Sequence, residues 1–446
     1  MNELVCDRLN ARFARYLDQT LGGRRYGRLI EVIGNQVRVA GIELRVGQLC
    51  ELTRPGDEQG VVGEVVGLTR EAALVTMLGD VTGLGTSTLV RACAESHGVS
   101  VGAGLLGRVL DGLGRPLDGH SSLDGMEVRP SAAAPPPPLS RPLIRSILPT
   151  GVRAIDGFLT TGRGQRFGIF APAGTGKSTL LGMIARGVGC DCICVIALIG
   201  ERGREVREFL DEILTPEQLQ NTIVVVATSD RPSMERIKAA YTATTIAEYF
   251  RDQGQEVLLL FDSVTRFARA LREVGLAAGE PAVRRGYPPS VFTALPGLVE
   301  RAGPAAAGSI TAFYTVLLED AEISDPIGEE IRSLLDGHIV LSPKVAGAGR
   351  YPAIDIRNSV SRVMTQLVGT EVSRAAARCR DWLTRYDDAE LLLQIGEYQE
   401  GGDLALDAAI AAHGDLSPFL MQRTDEFSRF DDTVVQLAEI ARRYAV

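Results

Sequence analysis

Aromatic side chains are scarce in this chain, at 5% of its 446 residues with a single tryptophan. Residues 28–95 hold no Phe, Tyr or Trp, with Tyr26 just outside, so that stretch lacks the stacking platforms on which single-stranded nucleic acid is bound. Basic residues are not in excess either: 47 Lys and Arg face 56 Asp and Glu, a net charge of −9, which excludes a generic nucleic-acid coat. No run of 18 or more apolar residues exists to span a bilayer. Asp7 precedes any apolar run, so the N-terminus lacks the hydrophobic region of a signal peptide, and a cytoplasmic protein is expected. The seven cysteines are odd in number and lack the paired spacing of a secreted disulfide scaffold. Cys190, Cys192 and Cys194 alternate, which places them on one face of a strand as small buried side chains. A tetrahedral metal site would ask for turn-type spacing instead. His97, His120, His338 and His413 are scattered and form no ligand pattern.

What is present falls into segments of different texture. The length suits about three domains. Val5, Leu9, Phe13, Leu17 and Leu21 form a helical stripe flanked by Arg8, Arg12 and Arg15. Two readings stand for residues 1–24: a helix packed on its own protein, or a docking helix for a partner or a membrane surface. Residues 25–95 turn to short β-rich runs (Leu29–Val32, Gln36–Val39, Gly63–Val66, Ala73–Thr76) punctuated by Gly and Asn, which predicts a small β-barrel. Residues 126–142 carry Pro135–Pro138, which neither a helix nor a central strand tolerates, and read as a stiff connector between domains. Over residues 96–365, apolar strands at Arg166–Phe170, Cys192–Ile199, Thr222–Ala227, Val257–Phe261 and Ile310–Leu318 alternate with helical patterns. One such helix follows Lys177, and another presents Val206, Phe209, Leu210, Ile213 and Leu214 on one face. This predicts an α/β domain with a parallel sheet covered on both sides. Residues 366–446 lose their strand signals and read as a helical C-terminal domain.

The chemistry concentrates in the α/β segment. Pro172, Ala173, Gly174, Thr175, Gly176, Lys177, Ser178 and Thr179 follow a strand and open a helix. With Ala171 in place of the first glycine, they fit a phosphate-binding loop. Its glycines let backbone N–H groups turn toward an anion at a helix N-terminus. Lys177 is expected on the β- and γ-phosphates and the Ser178 hydroxyl on Mg²⁺. Val257-Leu-Leu-Leu-Phe-Asp262 ends an apolar strand in a carboxylate suited to Mg²⁺. Glu201, just past the strand ending at Gly200, is the candidate for polarising the attacking water, and Arg202 the candidate for a γ-phosphate contact; a surface-charged helix start, in which Glu201 is ordinary capping, is the alternative.

Together these stretches resemble the rotary ATPase family that includes the catalytic subunits of ATP synthase, and most of all the hexameric ATPases of bacterial type III protein secretion. The resemblance is carried by Gly151-Val-Arg-Ala-Ile-Asp156, Gly162-Arg-Gly-Gln-Arg166, Ile199-Gly-Glu-Arg-Gly-Arg-Glu-Val-Arg207, Gly286-Tyr-Pro-Pro-Ser-Val291, Ser309-Ile-Thr-Ala-Phe-Tyr-Thr-Val316 and Leu335-Asp-Gly-His-Ile-Val-Leu-Ser342. It spans roughly residues 25–445 and implies a central P-loop (RecA-like) domain. Ala227-Thr-Ser-Asp-Arg-Pro232 with Met234-Glu-Arg236 resembles the virulence-type injectisome enzymes; the flagellar export ATPase is the nearest alternative. By resemblance Glu201 is the catalytic glutamate, Tyr351 packs on the adenine ring, and Arg362 is an arginine finger inserted from a neighbouring copy. Arg266 is a further arginine near the γ-phosphate, with a structural ion pair as the other reading. One chain carrying both Glu201 and Arg362 implies a homohexamer of equivalent sites that use ATP and Mg²⁺. The implied partners are a central stalk, a stator, chaperone–effector complexes and the export gate. The implied location is cytoplasmic, at the inner membrane through those partners. No nucleic-acid partner is expected, which sets aside a hexameric RNA helicase. The acidic C-terminal segment of an ATP synthase catalytic subunit is not evident. Ala171 and Thr175 depart from the family pattern, with modest effects expected.

Overall fold

The computed structural model describes residues 26–54, 56–57, 59–119, 123, 125–318 and 325–444. The apolar stripe of residues 3–21 lies outside them. The described chain divides into two compact units, 26–97 with 276–280, and 98–275 with 281–444.

The first unit is built on six strands, β1 (Gly27–Ile33), β2 (Gln36–Ala40), β3 (Leu49–Thr53), β4 (Val61–Leu68), β5 (Ala73–Met77) and β6 (Leu89–Ala94). They close a barrel in the order β1-β2-β5-β4-β3-β6, with β6 pairing back to β1. Closure leaves no free edge. Leu29, Val37, Val39, Leu52, Val65, Val75, Met77 and Val90 fill the interior. The expected barrel is there, but β3 and β6 escape a reading of apolar runs. Each carries a charge mid-strand, and Glu51 and Arg91 satisfy one another as directly opposed cross-strand partners.

The second unit opens with a two-stranded sheet of β7 (Gly98–Val101) and β9 (Glu127–Pro130). Between them lies β8 (Val109–Asp111). The proline run therefore does not join the two units. It lies inside the second, and both its flanks are tied there: the Ser131 carbonyl accepts from Arg301 Nη1 at 2.8 Å, and Arg141 Nη1 donates to the Ala302 carbonyl at 3.0 Å. The main sheet adds β10 (Arg166–Pro172), β11 (Ile193–Ile199), β12 (Thr222–Ala227), β13 (Glu256–Asp262), β14 (Gly303–Pro304), β15 (Ser309–Leu318), β16 (Gly337–Leu341) and β17 (Ile354–Ser361). Its order is β17-β16-β10-β15-β13-β11-β12-β8, with β14 attached to β15. All of these pairings are parallel except β16–β17 and β14–β15. Every residue of β12 is buried, the signature of a parallel strand covered on both faces.

Two local expectations change. The segment expected as one amphipathic helix is an α-helical turn, Gly203–Glu208, followed by a π-helical turn, Phe209–Ile213, which breaks the 3.6-residue period. And β11 starts at Ile193: Cys192 and Cys194 are buried as expected, whereas Cys190 falls in the 3₁₀ turn Gly189–Asp191 where the preceding helix ends. Beyond Met364 the helices Thr370–Gln394, Leu404–Leu420 and Phe430–Arg443 dominate. Trp382, Leu416, Phe419 and Leu437 join them to the core that also holds Ile155, Phe158 and Ile169.

Candidate active site

Parallel pairing brings the carboxyl ends of β10, β11, β13 and β15 together, and the chemistry gathers there. β10 runs into the phosphate loop at Pro172, and helix Lys177–Val188 begins directly after Gly176. Gly174 and Gly176 take φ of 78° and 85°, a left-handed conformation open to glycine at little cost and needed to turn the loop back toward the helix. Thr175 is buried, and its hydroxyl donates to the Pro172 carbonyl at 2.8 Å, bracing the loop with a bond that a valine there would not make. Ala171 is fully buried inside β10.

Lys177 Nζ sits between two carboxylates, 2.5 Å from Asp262 Oδ1 and 3.2 Å from Glu201 Oε1. The register Leu198↔Asp262 between β11 and β13 explains why residues so far apart in sequence meet. Thr315 on β15 donates to the same Asp262 oxygen at 2.7 Å. Asp262 is 2% exposed and Glu201 7%. Burial pushes both carboxyls above their usual range, while Lys177 pulls them down. Burial also works against the lysine's charge, yet Asp262 and Glu201 outweigh it and hold the ammonium above its usual value. Two buried carboxylates share one ammonium, so the cluster is short of positive charge. Arg266 supplies part of it, with its guanidinium 3.9 Å from Glu201 Oε2. Gly200 makes that approach possible: it has φ of 72°, and a Cβ there would come within 2.9 Å of the Arg266 side chain.

The other expected site residues divide. The Tyr351 ring lies 3.8 Å from where a side chain on Gly176 would begin, half exposed beside the loop. Arg202 turns away, with its side chain 79% exposed and its nearest carboxylate, Glu205, at 3.9 Å. Arg362 is at the other end of the sheet. Its N–H donates to the Asp336 carbonyl, and Asp336 N–H donates to the Arg166 carbonyl at the start of β10. The seven residues of β10 separate that point from the phosphate loop, about 20 Å of strand. Arg362 is exposed, and among the described residues it pairs with no carboxylate.

Three contributors escaped the sequence reading. Thr315, Gly200 and Gln422 act over long separations, so no local period announces them. Gln422 is buried: its backbone N–H donates to the Tyr351 carbonyl at 2.9 Å, its Nε2 to the Gly151 carbonyl at 2.7 Å, and its Oε1 accepts from Arg153 N–H at 2.8 Å. Thr315 and Gly200 lie within stretches of the resemblance, Ser309–Val316 and Ile199–Arg207, whereas nothing in the sequence marked out Gln422.

A phosphate loop closing on a lysine between two buried carboxylates, at the carboxyl ends of a parallel sheet, defines a nucleotide-hydrolysing P-loop protein. Residues 151–361 match the nucleotide-binding domain of the ATP synthase alpha/beta family, and residues 368–439 the C-terminal domain of the type III secretion ATPase EscN. The chain is 52% identical to the type 3 secretion system ATPase of Xanthomonas euvesicatoria over 94% of each chain. It is 45% identical to the flagellum-specific ATP synthase of Bacillus subtilis (strain 168), over 95% of this chain and 97% of that one. The assembled EscN of enteropathogenic E. coli superposes with a TM-score of 0.89 at 47% identity, covering 93% of this chain and all of that one. EscN has also been solved in complex with its central stalk, EscO, with a TM-score of 0.86. The chain belongs to the type 3 secretion system ATPases, and it is an ATPase.

Proposed function

We propose that ATP is hydrolysed in clefts shared by neighbouring copies of this chain, arranged as a homohexamer that drives type III secretion by releasing chaperones from effectors and unfolding them for export. The observation that carries this reading is the separation of the machinery: Lys177, Glu201 and Asp262 cluster at the carboxyl ends of the strands, while Arg362 is exposed at the amino end of β10. A chain cannot bring its own Arg362 to its own Lys177, so we infer that a neighbour's Arg362 serves it.

In this reading the loop amides of residues 173–179 and Lys177 hold the phosphates, with Lys177 released from its carboxylates by the arriving negative charge. Glu201 takes a proton from the attacking water, Arg266 steadies Glu201, and Tyr351 packs on adenine. Arg362 from the adjacent copy stabilises charge developing on the γ-phosphate, a contribution typically worth roughly 10³ to 10⁵ in rate. Arg202 is the proposed contact with the least geometric support, since reaching a phosphate requires it to swing in from solvent. Mg²⁺ fits the site's oxygen donors: Asp262 and Ser178 are hard ligands, the cluster lacks positive charge, and such ions commonly take one or two protein ligands beside the substrate's phosphates. When bound it would neutralise negative charge on the phosphates.

The partners we propose are a central stalk, for which the EscN–EscO complex is the precedent, a stator, chaperone–effector complexes and the export gate. Among the described residues no helix is long and apolar enough to cross a membrane. From the resemblance to the secretion ATPases we place the protein in the cytoplasm, held at the inner membrane through these partners. Glu201→Gln tests the chemistry: turnover should fall by roughly 10² to 10⁴ with nucleotide affinity retained. Unchanged turnover would remove Glu201 from the mechanism.

A further inference from the structure

We propose that Gln165 is a positioning residue for Arg362, setting the arginine that one copy lends to the next; this rests on the reading that Arg362 acts in a neighbour's site. Gln165 is fully buried immediately before β10. Its amide serves three chain segments at once. Oε1 accepts from Gly162 N–H at 2.9 Å, while Nε2 donates to the Asp336 carbonyl and to Ser361 Oγ, each at 3.2 Å. Ser361 Oγ in turn donates to the Thr160 carbonyl at 3.0 Å. The Asp336 carbonyl that receives Gln165 also receives Arg362 N–H, at 3.0 Å. Asp336 is itself clamped: Arg166 donates to its carboxylate from N and Nε at 3.1 Å and from Nη2 at 3.3 Å.

Arg362 therefore leaves the fold from a point held on both sides, by Ser361 before it and Asp336 beneath its own N–H, and the Gln165 amide touches both. Of the side chains near this size, only an amide carries the donors and the acceptor that all three contacts need. The exposed guanidinium has no partner of its own among the described residues, so its direction is set at its base. A reacting group displaced by about 1 Å can lose roughly 10² in rate, which makes a fixed base a kinetic requirement for an arginine that must cross to another copy.

The test uses the full chain. Gln165→Leu should lower kcat about 10²-fold while the affinity for a fluorescent ADP changes less than about twofold, the pattern of a contact made in the transition state. Each variant is then mixed with Lys177→Ala, whose own site is dead but whose Arg362 is intact. Mixtures of Gln165→Leu with Lys177→Ala should regain at least about tenfold activity over Gln165→Leu alone, because some intact sites then face a well-held arginine. Arg362→Ala mixed with Lys177→Ala is the control. Recovery in the control without recovery for Gln165→Leu would make Gln165 a structural residue and overturn the proposal while sparing the shared site. No recovery in either mixture would overturn both, and parental kcat in Gln165→Leu would overturn the proposal alone. If Gln165→Leu does not fold, Ser361→Ala, which removes the oxygen Gln165 reaches, carries the same mixing test with the same outcomes.

Discussion

At the carboxyl end of the sheet, Lys177 is packed between Asp262 and Glu201 with Thr315 and Arg266 around them, so each charged group has a partner within the chain although the cluster stays short of positive charge. At the amino end of β10, Arg362 is exposed and unanswered, although its backbone is held through Asp336, Gln165 and Arg166. The first end is complete as a resting cluster, which the phosphates of ATP would open. The second, in the proposed reading, is complete only when another copy meets it. One strand joins the two, so the segment that ends in a chain's own phosphate loop begins beside the arginine that we propose is offered to the next site. In the proposed reading the contrast makes self-assembly part of the active site, not an addition to it.

The comparison can be broken from either end. Gly200→Ala should have the largest effect: it introduces a Cβ at φ of 72° and within 2.9 Å of Arg266, forcing the Glu201 turn aside. We expect at least roughly a 10²-fold loss of kcat from the misplaced carboxylate, together with about 1–3 kcal/mol lower stability from the strained backbone. Steady-state kinetics and thermal denaturation check both, and parental values would mean the Glu201 turn has slack. Tyr351→Ala comes next. Its loss should raise KM for ATP about tenfold, with a smaller change in kcat, as removal of a stacking surface does; a kcat effect without a KM effect would place Tyr351 elsewhere in the cycle.

The smallest effect is on pH dependence. Burial raises the Glu201 carboxyl above the ordinary glutamate range even with Lys177 opposing it. A general base works ionised, so activity should fall as pH drops through that raised value. The acid limb of the kcat/KM profile is then expected above the ordinary glutamate pKa. A limb at or below the ordinary value would show that Glu201 is better solvated than its burial implies.

Much of the carboxyl end was legible because its chemistry is local. A strand, two glycines and Lys-Ser-Thr lie within a few residues, and Asp262 closes an unbroken apolar run. Glu201 was legible by position and firm only by resemblance. The rest depends on partners remote in sequence: Gln165 meets Ser361 across 196 residues, and Gln422 reaches Gly151 across 271. Buried glutamines of this kind read as ordinary polar positions until the chain closes around them. β16 and β17 were missed for a related reason. β16 is a five-residue run opening on Gly-His, β17 mixes charged and apolar residues, and the two pair antiparallel with a register shift, so neither period shows cleanly. The proline run misled in the opposite direction: its stiffness was legible, but not the fact that Arg141 and Arg301 bind its two flanks into a single body.

Specific ATPase activity measured against protein concentration tests the account most directly. A site that borrows its arginine predicts that turnover per chain climbs steeply as copies associate and falls toward nothing at dilutions where only monomers remain. Turnover per chain that stays constant down to verified monomer would contradict it.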